Sequence, residues 1–132
     1  MNLSYEKLFK EAEKARKKAY TPYSKFKVGA AVLTTDGKIF TGCNIENASF
    51  GLTVCAERVA ILKAISEGSY KFEAMAIIGD TERPCSPCGA CRQVISEFGE
   101  DIKIAMSNLK GDVKIKKISE LLPEAFNKND LL

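Results

Sequence analysis

The sequence predicts an α/β fold, a three-layer α/β/α sandwich with a mixed five-stranded sheet. Residues Phe72–Gly79 form a continuous apolar run, which is typical of a strand buried inside a sheet. The dipeptide Asp36-Gly37 lies between two predicted strands and indicates an antiparallel hairpin. Helical patterns alternate with the later strands along the chain, and this order places helices on both faces of one sheet.

The individual elements are predicted from the spacing of apolar residues and from capping residues. Apolar residues three and four positions apart predict a helix over residues 3–19, which ends at Thr21-Pro22 because the residue before proline avoids helical angles. Strands are predicted at residues 26–35, 38–44, 72–79, 101–107 and 113–117. Further helices are predicted at residues 55–67, 87–98 and in a short last turn, with Thr53, Ser86 and Ser119 as N-caps.

Length, composition and charge limit the class of protein. A chain of 132 residues with 45% hydrophobic residues fits one folded domain over residues 1–132. The net charge of +3 is too small to indicate a nucleic-acid or membrane partner. No apolar run approaches the ~20 residues that span a bilayer, and the N-terminus lacks the apolar stretch of a secretory signal. We therefore expect a cytoplasmic protein.

The sequence contains no histidine, and it contains five cysteines. The lack of histidine excludes Ser-His and Cys-His nucleophile systems and every metal site that needs imidazole. An odd number of cysteines in a reducing compartment argues against a disulfide framework. The clustering of the cysteines therefore indicates a metal site or a reactive thiol. The five are Cys43, Cys55, Cys85, Cys88 and Cys91.

Three of the cysteines lie at the starts of two predicted helices. Cys88 and Cys91 form a C-x-x-C motif, and residues three apart share a helix face, so both sulfurs can reach one ion. Cys55 begins the preceding helix, and the partial positive charge of a helix N-terminus favours the thiolate that binds metal. Three thiolates around a tetrahedral zinc leave one position open, which is the catalytic pattern.

The spacing alone leaves other interpretations open. Cys85 as a fourth ligand would close the site and make the zinc structural, and the C-x-x-C motif can also be a redox pair or buried cysteines. Glu57 favours the catalytic interpretation, because a carboxylate beside a zinc-activated water can take and return protons. The plainer alternative is a first-turn glutamate that suits the helix dipole. Cys43, within a strand, is interpreted as a small core residue.

Four segments of the chain form a specific pattern when they are taken in order. The segments are Phe26 to Ala31 (FKVGAA), Gly42 to Ala48 (GCNIENA), Cys55-Ala56-Glu57 and Pro87 to Gln93 (PCGACRQ). Together they resemble the small cytidine deaminases. The resemblance spans nearly the whole chain, and cysteine rather than histidine at position 55 resembles the homotetrameric branch of that family. It implies a zinc-dependent nucleoside deaminase domain with one Zn²⁺ per subunit, in a homotetramer whose active sites are completed by neighbouring subunits.

The resemblance also implies roles for individual residues. The zinc ligands would be Cys55, Cys88 and Cys91, and the proton shuttle would be Glu57. Arg58 would donate to the ligand sulfurs, which offsets part of the net negative charge of a zinc ion with three thiolates. Without the resemblance, Arg58 would be interpreted as a surface arginine.

Further residues would bind the substrate if the resemblance holds. Asn44 and Glu46 match the pair that binds the ribose, and the alternative is a loop whose polar side chains satisfy turn backbone. A carboxylate beside the sugar should repel phosphate, so we expect a free nucleoside rather than a nucleotide. Phe26 would pack against the pyrimidine unless it is a core residue. The backbone of Ala56 would contact the base, and Phe126 would cover the substrate of a neighbouring subunit.

The implied reaction is hydrolytic deamination of cytidine and 2′-deoxycytidine to uridine and 2′-deoxyuridine, with release of ammonia, in pyrimidine salvage. Zinc-bound hydroxide would attack C4 while Glu57 moves protons to N3 and to the leaving amino group. Two departures stand out, since Phe50 replaces a frequent tyrosine and Cys85 is not part of the pattern. The alternatives are deamination of another cytosine-bearing nucleoside of the blasticidin type, a polynucleotide editor, and a structural-zinc interaction module.

Overall fold

A computed structural model describes residues 5–132. In chain order, the helices and strands are α1 (Tyr5–Arg16), β1 (Val28–Thr34), β2 (Ile39–Cys43), α2 (Ala56–Ser66), β3 (Phe72–Gly79), α3 (Gly89–Ser96), β4 (Lys103–Asn108), β5 (Val113–Lys117) and α4 (Ile118–Leu121). Short 3₁₀ turns lie at Phe50–Leu52 and Lys128–Asp130. Within residues 5–132, no helix has the length and apolar character that a bilayer crossing requires.

The five strands form one sheet in the order β2-β1-β3-β4-β5. Strands β3 and β4 are parallel, and the other neighbouring pairs are antiparallel. Gly79 at the end of β3 lies opposite Val28 at the start of β1 and opposite Asn108 at the end of β4. Gly29 in turn pairs with Cys43 at the end of β2. The predicted mixed sheet is therefore confirmed, and these strand ends meet at one end of it.

Helices cover both faces of the sheet, as predicted. One face packs on α1 through small side chains. The other face packs on α2, α3 and α4 through larger ones. The α1 side includes Leu8, Ala12, Ala31, Ala74, Ala76 and Ala105. The opposite side includes Val32, Ala60, Ile61, Met75, Ile77, Ile104 and Ile118. Residues alternate between the two faces along β1 and β3, because successive side chains of a strand point to opposite sides.

Two glycines let the helices lie directly on the strands. A Cβ atom on Gly29 would lie 2.0 Å from the carbonyl oxygen of Ala12 in α1. A Cβ atom on Gly42 would lie 2.5 Å from the backbone nitrogen of Ala60 in α2. Only glycine allows such an approach of backbone to backbone. The position of α2, which begins at the cysteine motif, therefore depends on Gly42.

The three predicted N-caps are wrong. Cys55 caps α2, Cys88 caps α3 and Lys117 caps α4, and neither cysteine makes a side-chain capping hydrogen bond. Serine, threonine and asparagine usually fill this position because their oxygens accept from the first turn. Cysteine is a weak acceptor, so the two caps leave the sulfurs available for another partner.

The first helix and the first strand are shorter than predicted. Helix α1 ends at Arg16 instead of residue 19, because the last turn tightens into bonds three residues apart and Tyr20 then pairs with the segment after β2. The predicted start at residues 3 and 4 lies outside the described residues. Strand β1 begins at Val28, not at Phe26. The Phe26 carbonyl and the Val28 N–H bond to the Asn44 side chain instead of to a neighbouring strand.

Candidate functional site

Three sulfur atoms converge at the starts of α2 and α3. The Sγ atoms of Cys55, Cys88 and Cys91 all lie within 4.8 Å of one another, and those of Cys88 and Cys91 are 3.5 Å apart. A tetrahedral zinc with Zn–S bonds of about 2.3 Å places its sulfur ligands about 3.8 Å from each other. The Cys88–Cys91 separation is close to that value, and the two separations to Cys55 Sγ are at most 4.8 Å. The donor set and its geometry therefore fit one zinc ion.

Access to the cluster differs among the three cysteines. Cys91 is buried, Cys55 is half-buried and Cys88 is exposed. A site with three ligands and one solvent-facing side leaves room for a water or a substrate atom at a fourth position. This arrangement is typical of catalytic rather than structural zinc.

Hydrogen bonds within the cluster favour a negatively charged sulfur at Cys55. The pKa of the Cys55 thiol is lowered to about 5, chiefly because the Cys91 thiol donates to it and further because Arg58 donates to it. The pKa of Cys91 is raised, since its proton is held by Cys55 and its surroundings are desolvated. Both cysteines that cap a helix also face the positive end of that helix. The cluster is therefore built to hold negative sulfur.

Arg58 contacts the cluster from the first turn of α2. Its Nη2 donates to Cys55 Sγ at 3.8 Å and to the carbonyl oxygen of Thr53 at 3.4 Å. The bond to Cys55 raises the pKa of the guanidinium. Its Nε is buried and has no hydrogen-bond partner among residues 5–132. The arginine therefore lies where the resemblance places it, beside the ligand sulfur of its own helix.

Glu57 is a buried carboxyl group next to the sulfurs. Only 5% of the residue is exposed, and burial raises the pKa of its carboxyl to about 7. The negative charge of Cys55 raises the pKa further, whereas the backbone N–H of Glu57 opposes the shift. A carboxyl group with a pKa near neutrality can both accept and return a proton.

Cys85 is not part of the sulfur cluster. It is buried, and burial raises the pKa of its thiol to about 11. It lies over the end of β3, where a Cβ atom on Gly79 would be 2.9 Å from Cys85 Sγ. The geometry therefore does not support the closed, four-sulfur alternative. Cys43 is half-buried at the end of β2.

Asn44 and Glu46 organise the segment that leads into β1. Asn44 Oδ1 accepts from the Val28 backbone at 2.9 Å, and its Nδ2 donates to the Phe26 carbonyl at 2.8 Å. Glu46 Oε1 accepts from the backbone of Tyr23 and Ser24 at 3.0 and 3.1 Å, and Oε2 accepts from the Ser24 hydroxyl. The Ser24 bond keeps the pKa of Glu46 below its usual range. Ribose binding by this pair stays a prediction, because both side chains have a structural role as well.

Phe26 lies at the same end of the sheet. Its ring is near the end of β3, with Cζ 3.4 Å from the position that a Gly79 Cβ atom would occupy. The residue is 39% exposed, so it is not a fully buried core phenylalanine. The preceding Lys25 has a φ of +61°, a conformation that non-glycine residues adopt rarely and that is concentrated at functional sites.

Ala56 and Phe126, the last two residues predicted to contact the substrate, differ in burial. Ala56 is fully buried at the first position of α2, where its N–H has no partner within the helix. Phe126 is 59% exposed, and its carbonyl oxygen accepts from Gln93 Nε2 at 2.8 Å. Their contacts to base and substrate stay predictions.

Two residues with evident roles at the site were not predicted. Ser24 holds Glu46, and its position after Pro22 in a turn was an available signal. Arg92 connects the turn before Cys88 with the end of α4. It belongs to the Pro87 to Gln93 segment of the resemblance, which was an available signal, but no role was predicted for it.

A family model described as "Cytidine and deoxycytidylate deaminase zinc-binding region" matches residues 3–106. The chain belongs to this family. A relative named cytidine deaminase from Sporosarcina psychrophila is 54% identical over 130 residues, which are 98% of this chain and 96% of the relative. Its likeness to the deaminase family therefore covers nearly the whole sequence.

Comparison of structures agrees with the family assignment. The crystal structure of cytidine deaminase from Burkholderia pseudomallei matches with a TM-score of 0.92 and 49% identity, over 94% of this chain and 100% of that one. A more distant relative, named blasticidin-S deaminase from Bacillus cereus, is 32% identical over 114 residues, 80% of this chain and 81% of that protein. The α/β/α deaminase fold is confirmed, and one zinc per subunit fits the family and the sulfur cluster together.

Proposed function

We propose that this deaminase converts cytidine and water to uridine and ammonia, and that it accepts 2′-deoxycytidine as well. The observation that carries the proposal is the cluster of three sulfurs with a buried Glu57 beside it, whose carboxyl group has a pKa of about 7. A cation site and an adjacent proton carrier are the two parts that hydrolytic removal of an amino group from a pyrimidine requires.

Cys55, Cys88 and Cys91 would hold the zinc, and Arg58 would offset part of the thiolate charge. When bound there, the ion supplies Lewis acidity that makes the hydrolytic water more acidic. Arg58 matters because three thiolates outweigh the charge of one divalent cation. Its hydrogen bond to Cys55 withdraws charge from that sulfur and orients it.

Glu57 moves the protons of the reaction. Its carboxylate accepts a proton from the attacking water and delivers it to N3 of the pyrimidine, which makes C4 more electrophilic. The remaining water proton then passes through the same carboxyl to the amino nitrogen on C4, and the C–N bond breaks to release ammonia. Burial keeps bulk water away from this carboxyl and holds its pKa near the value that suits both directions of transfer.

The nucleoside would lie at the end of the sheet where β1 begins and β2 and β3 end. Phe26 would pack against the base, and the free N–H of Ala56 would donate to it. The remaining acceptor and donor capacity of Asn44 and Glu46 would bind the ribose hydroxyls. The negative charge of Glu46 would favour a nucleoside over a nucleotide, because it would repel a phosphate beside the sugar.

Replacing Glu46 by glutamine should raise the KM for cytidine about tenfold, because a hydrogen bond to a charged group is lost. It should also reduce discrimination against cytidine monophosphate, since the repelling charge is gone. Steady-state kinetics with both substrates measure the two effects. Glu67→Gln, at the exposed far end of α2, is the matched control. An unchanged KM for cytidine in Glu46→Gln would refute the ribose-binding role.

Removal of the metal provides the direct test of the proposed reaction. Purified protein should decrease the ultraviolet absorbance of cytidine and release one ammonia per uridine, a chelator should stop both, and zinc should restore them. Cys88→Ser should lose zinc and activity, whereas Cys85→Ser should keep both, because Cys85 lies outside the cluster. Metal analysis and an ammonia assay give the result. Zinc retained with four sulfur ligands and no ammonia would support a structural module, and faster turnover of blasticidin S would support the other nucleoside class.

Assembly and setting are part of the same proposal. A single domain over residues 1–132 would form a homotetramer, and large apolar side chains exposed near the site support this. They are Tyr23, Phe50, Leu52 and Phe126, between 50% and 74% exposed. Phe126 would then reach a neighbouring subunit's substrate. All five cysteines are free thiols, which supports a reducing, cytoplasmic setting for pyrimidine salvage. Sedimentation velocity would test the tetramer.

A further inference from the structure

Arg92 joins two parts of the chain that are distant in sequence. Its Nε donates to the carbonyl oxygen of Pro87 at 2.9 Å, and its Nη2 donates to the Ser86 hydroxyl at 3.0 Å. Its Nη1 donates to the carbonyl oxygen of Leu121, the last residue of α4, at 2.7 Å. One guanidinium therefore holds the turn that precedes Cys88 and the start of the C-terminal segment together.

The turn on one side of Arg92 determines where Cys88 lies. Cys88 is exposed and caps α3 without a side-chain capping bond, so its own side chain does not fix the turn. Pro87 has no N–H, which leaves its carbonyl as its one backbone hydrogen-bonding group. That carbonyl is bound by Arg92, whose backbone N–H also donates to the Cys88 carbonyl at 3.0 Å.

The segment on the other side of Arg92 leads to Phe126. Helix α4 has only four residues, so its terminal carbonyls lack partners within the helix. Arg92 provides one such partner at Leu121, and the adjacent Gln93 donates to the Phe126 carbonyl at 2.8 Å. Two successive residues of α3 thus hold both ends of the segment from residue 121 to residue 126.

We propose that Arg92 is a positioning residue that couples zinc retention to the placement of the C-terminal segment. All three acceptors of its side chain are neutral oxygens that lie in different directions, and only the planar guanidinium fork offers donors to them together. Metal bound by Cys88 and Cys91 would stabilise the turn, and the turn would stabilise the segment that carries Phe126. Thermodynamic reciprocity then requires that order in this segment favours the bound metal.

The conservative substitution Arg92→Lys keeps the positive charge but loses the planar guanidinium group, so one nitrogen replaces the three that bond to the three oxygens. We expect zinc-loaded Arg92→Lys to transfer zinc to a colorimetric chelator 10- to 100-fold faster than wild type, the range for lost support of a metal ligand. In wild type, removal of zinc should increase hydrogen–deuterium exchange in residues 119–132. In Arg92→Lys, exchange there should already be high with zinc bound and should change little on its removal.

Two further variants make the test specific. Arg83→Lys, at an exposed arginine of the same loop, should match wild type in zinc transfer and exchange. Gln93→Ala removes only the bond to Phe126, at an exposed position that does not threaten folding. It should raise exchange near residue 126 while zinc transfer stays within about twofold of wild type. Wild-type zinc transfer in Arg92→Lys, or a uniform rise of exchange over the whole chain, would overturn the coupling.

The effect on substrate binding rests on the function proposed above. If Phe126 covers a nucleoside, Gln93→Ala should raise the KM for cytidine and leave kcat unchanged. Zinc transfer and exchange do not depend on the reaction, so they test the coupling by themselves. Loss of the coupling in an active enzyme refutes the role of Arg92 alone, whereas intact coupling in a protein without cytidine turnover refutes the proposed function alone.

Discussion

Replacing Glu57 by glutamine should abolish nearly all cytidine turnover while the zinc stays bound. Glutamine has almost the same shape as glutamate, but its amide neither accepts the proton of a water molecule nor returns it to N3. Positioned acid–base groups typically contribute about 10²- to 10⁴-fold to a rate, and Glu57 serves both proton transfers. The kcat from an ultraviolet assay should therefore fall by at least that factor.

The zinc content of the same variant separates chemistry from folding. The three sulfurs do not include Glu57, so metal analysis should still find one zinc per chain. Removal of a buried carboxyl whose pKa is raised by desolvation should not lower thermal stability. A fully active Glu57→Gln enzyme would exclude this mechanism. A variant without zinc would instead show that Glu57 supports the metal site.

The sheet was predictable because burial imposes simple patterns on strands. The run Phe72–Gly79 was predicted with the bounds that it has, since β3 is covered on both faces and only apolar residues and glycine follow Glu73, its one charged residue. Asp36-Gly37 predicted a two-residue hairpin loop, and the hairpin is confirmed with Gly37 at a φ of +91°. The loop is one residue longer than predicted, because Thr34 pairs with Lys38 and Leu33 with Ile39. Such elements follow from contacts that the pattern itself encodes.

The details of the site were less predictable, because they depend on partners distant in sequence. Serine and threonine are favoured N-cap residues, which is why Ser86 and Thr53 were predicted, yet the N-caps of α3 and α2 are cysteines. Asn44 was predicted as a ribose ligand, and its bonds to Phe26 and Val28 also determine where β1 begins. Only the fold shows that one side chain has such a structural role, since the partners are 16 and 18 residues away.

The cysteine motif also shows which part of the site follows from local sequence and which part depends on distant contacts. C-x-x-C predicted two sulfurs on one helix face, and their 3.5 Å separation agrees with that. The third sulfur comes from α2, and its distance to the others depends on how α2 lies on β2. Spacing therefore could not decide whether Cys55 reaches the other two sulfurs, or whether Cys85 joins the three as a fourth ligand. The close approach at Gly42 is part of the physical answer, because it brings α2 against the sheet.

Replacing Gly42 by alanine should destabilise the protein by about 3 kcal/mol or more, at the upper end for overpacked cores. The new Cβ atom would lie 2.5 Å from the Ala60 nitrogen, 2.6 Å from the Ala56 carbonyl oxygen and 2.9 Å from Val59 Cβ. Two of these are backbone atoms of α2, so no rotation of a side chain relieves the clash. For a chain of this size, the midpoint of thermal unfolding should fall by about 10 °C.

The same substitution should weaken the metal site, which distinguishes this clash from a general loss of stability. Helix α2 has to move away from β2 to admit the methyl group, and it carries Cys55 at its N-cap and Glu57 in its first turn. Zinc transfer to a chelator should therefore accelerate at temperatures where Gly42→Ala is still folded. Gly51→Ala is the matched control, because no atom lies within 4 Å of its added Cβ and its φ is not positive. Equal stability of the two variants would show that α2 does not need the bare backbone of β2, and the position of Cys55 would then require another explanation.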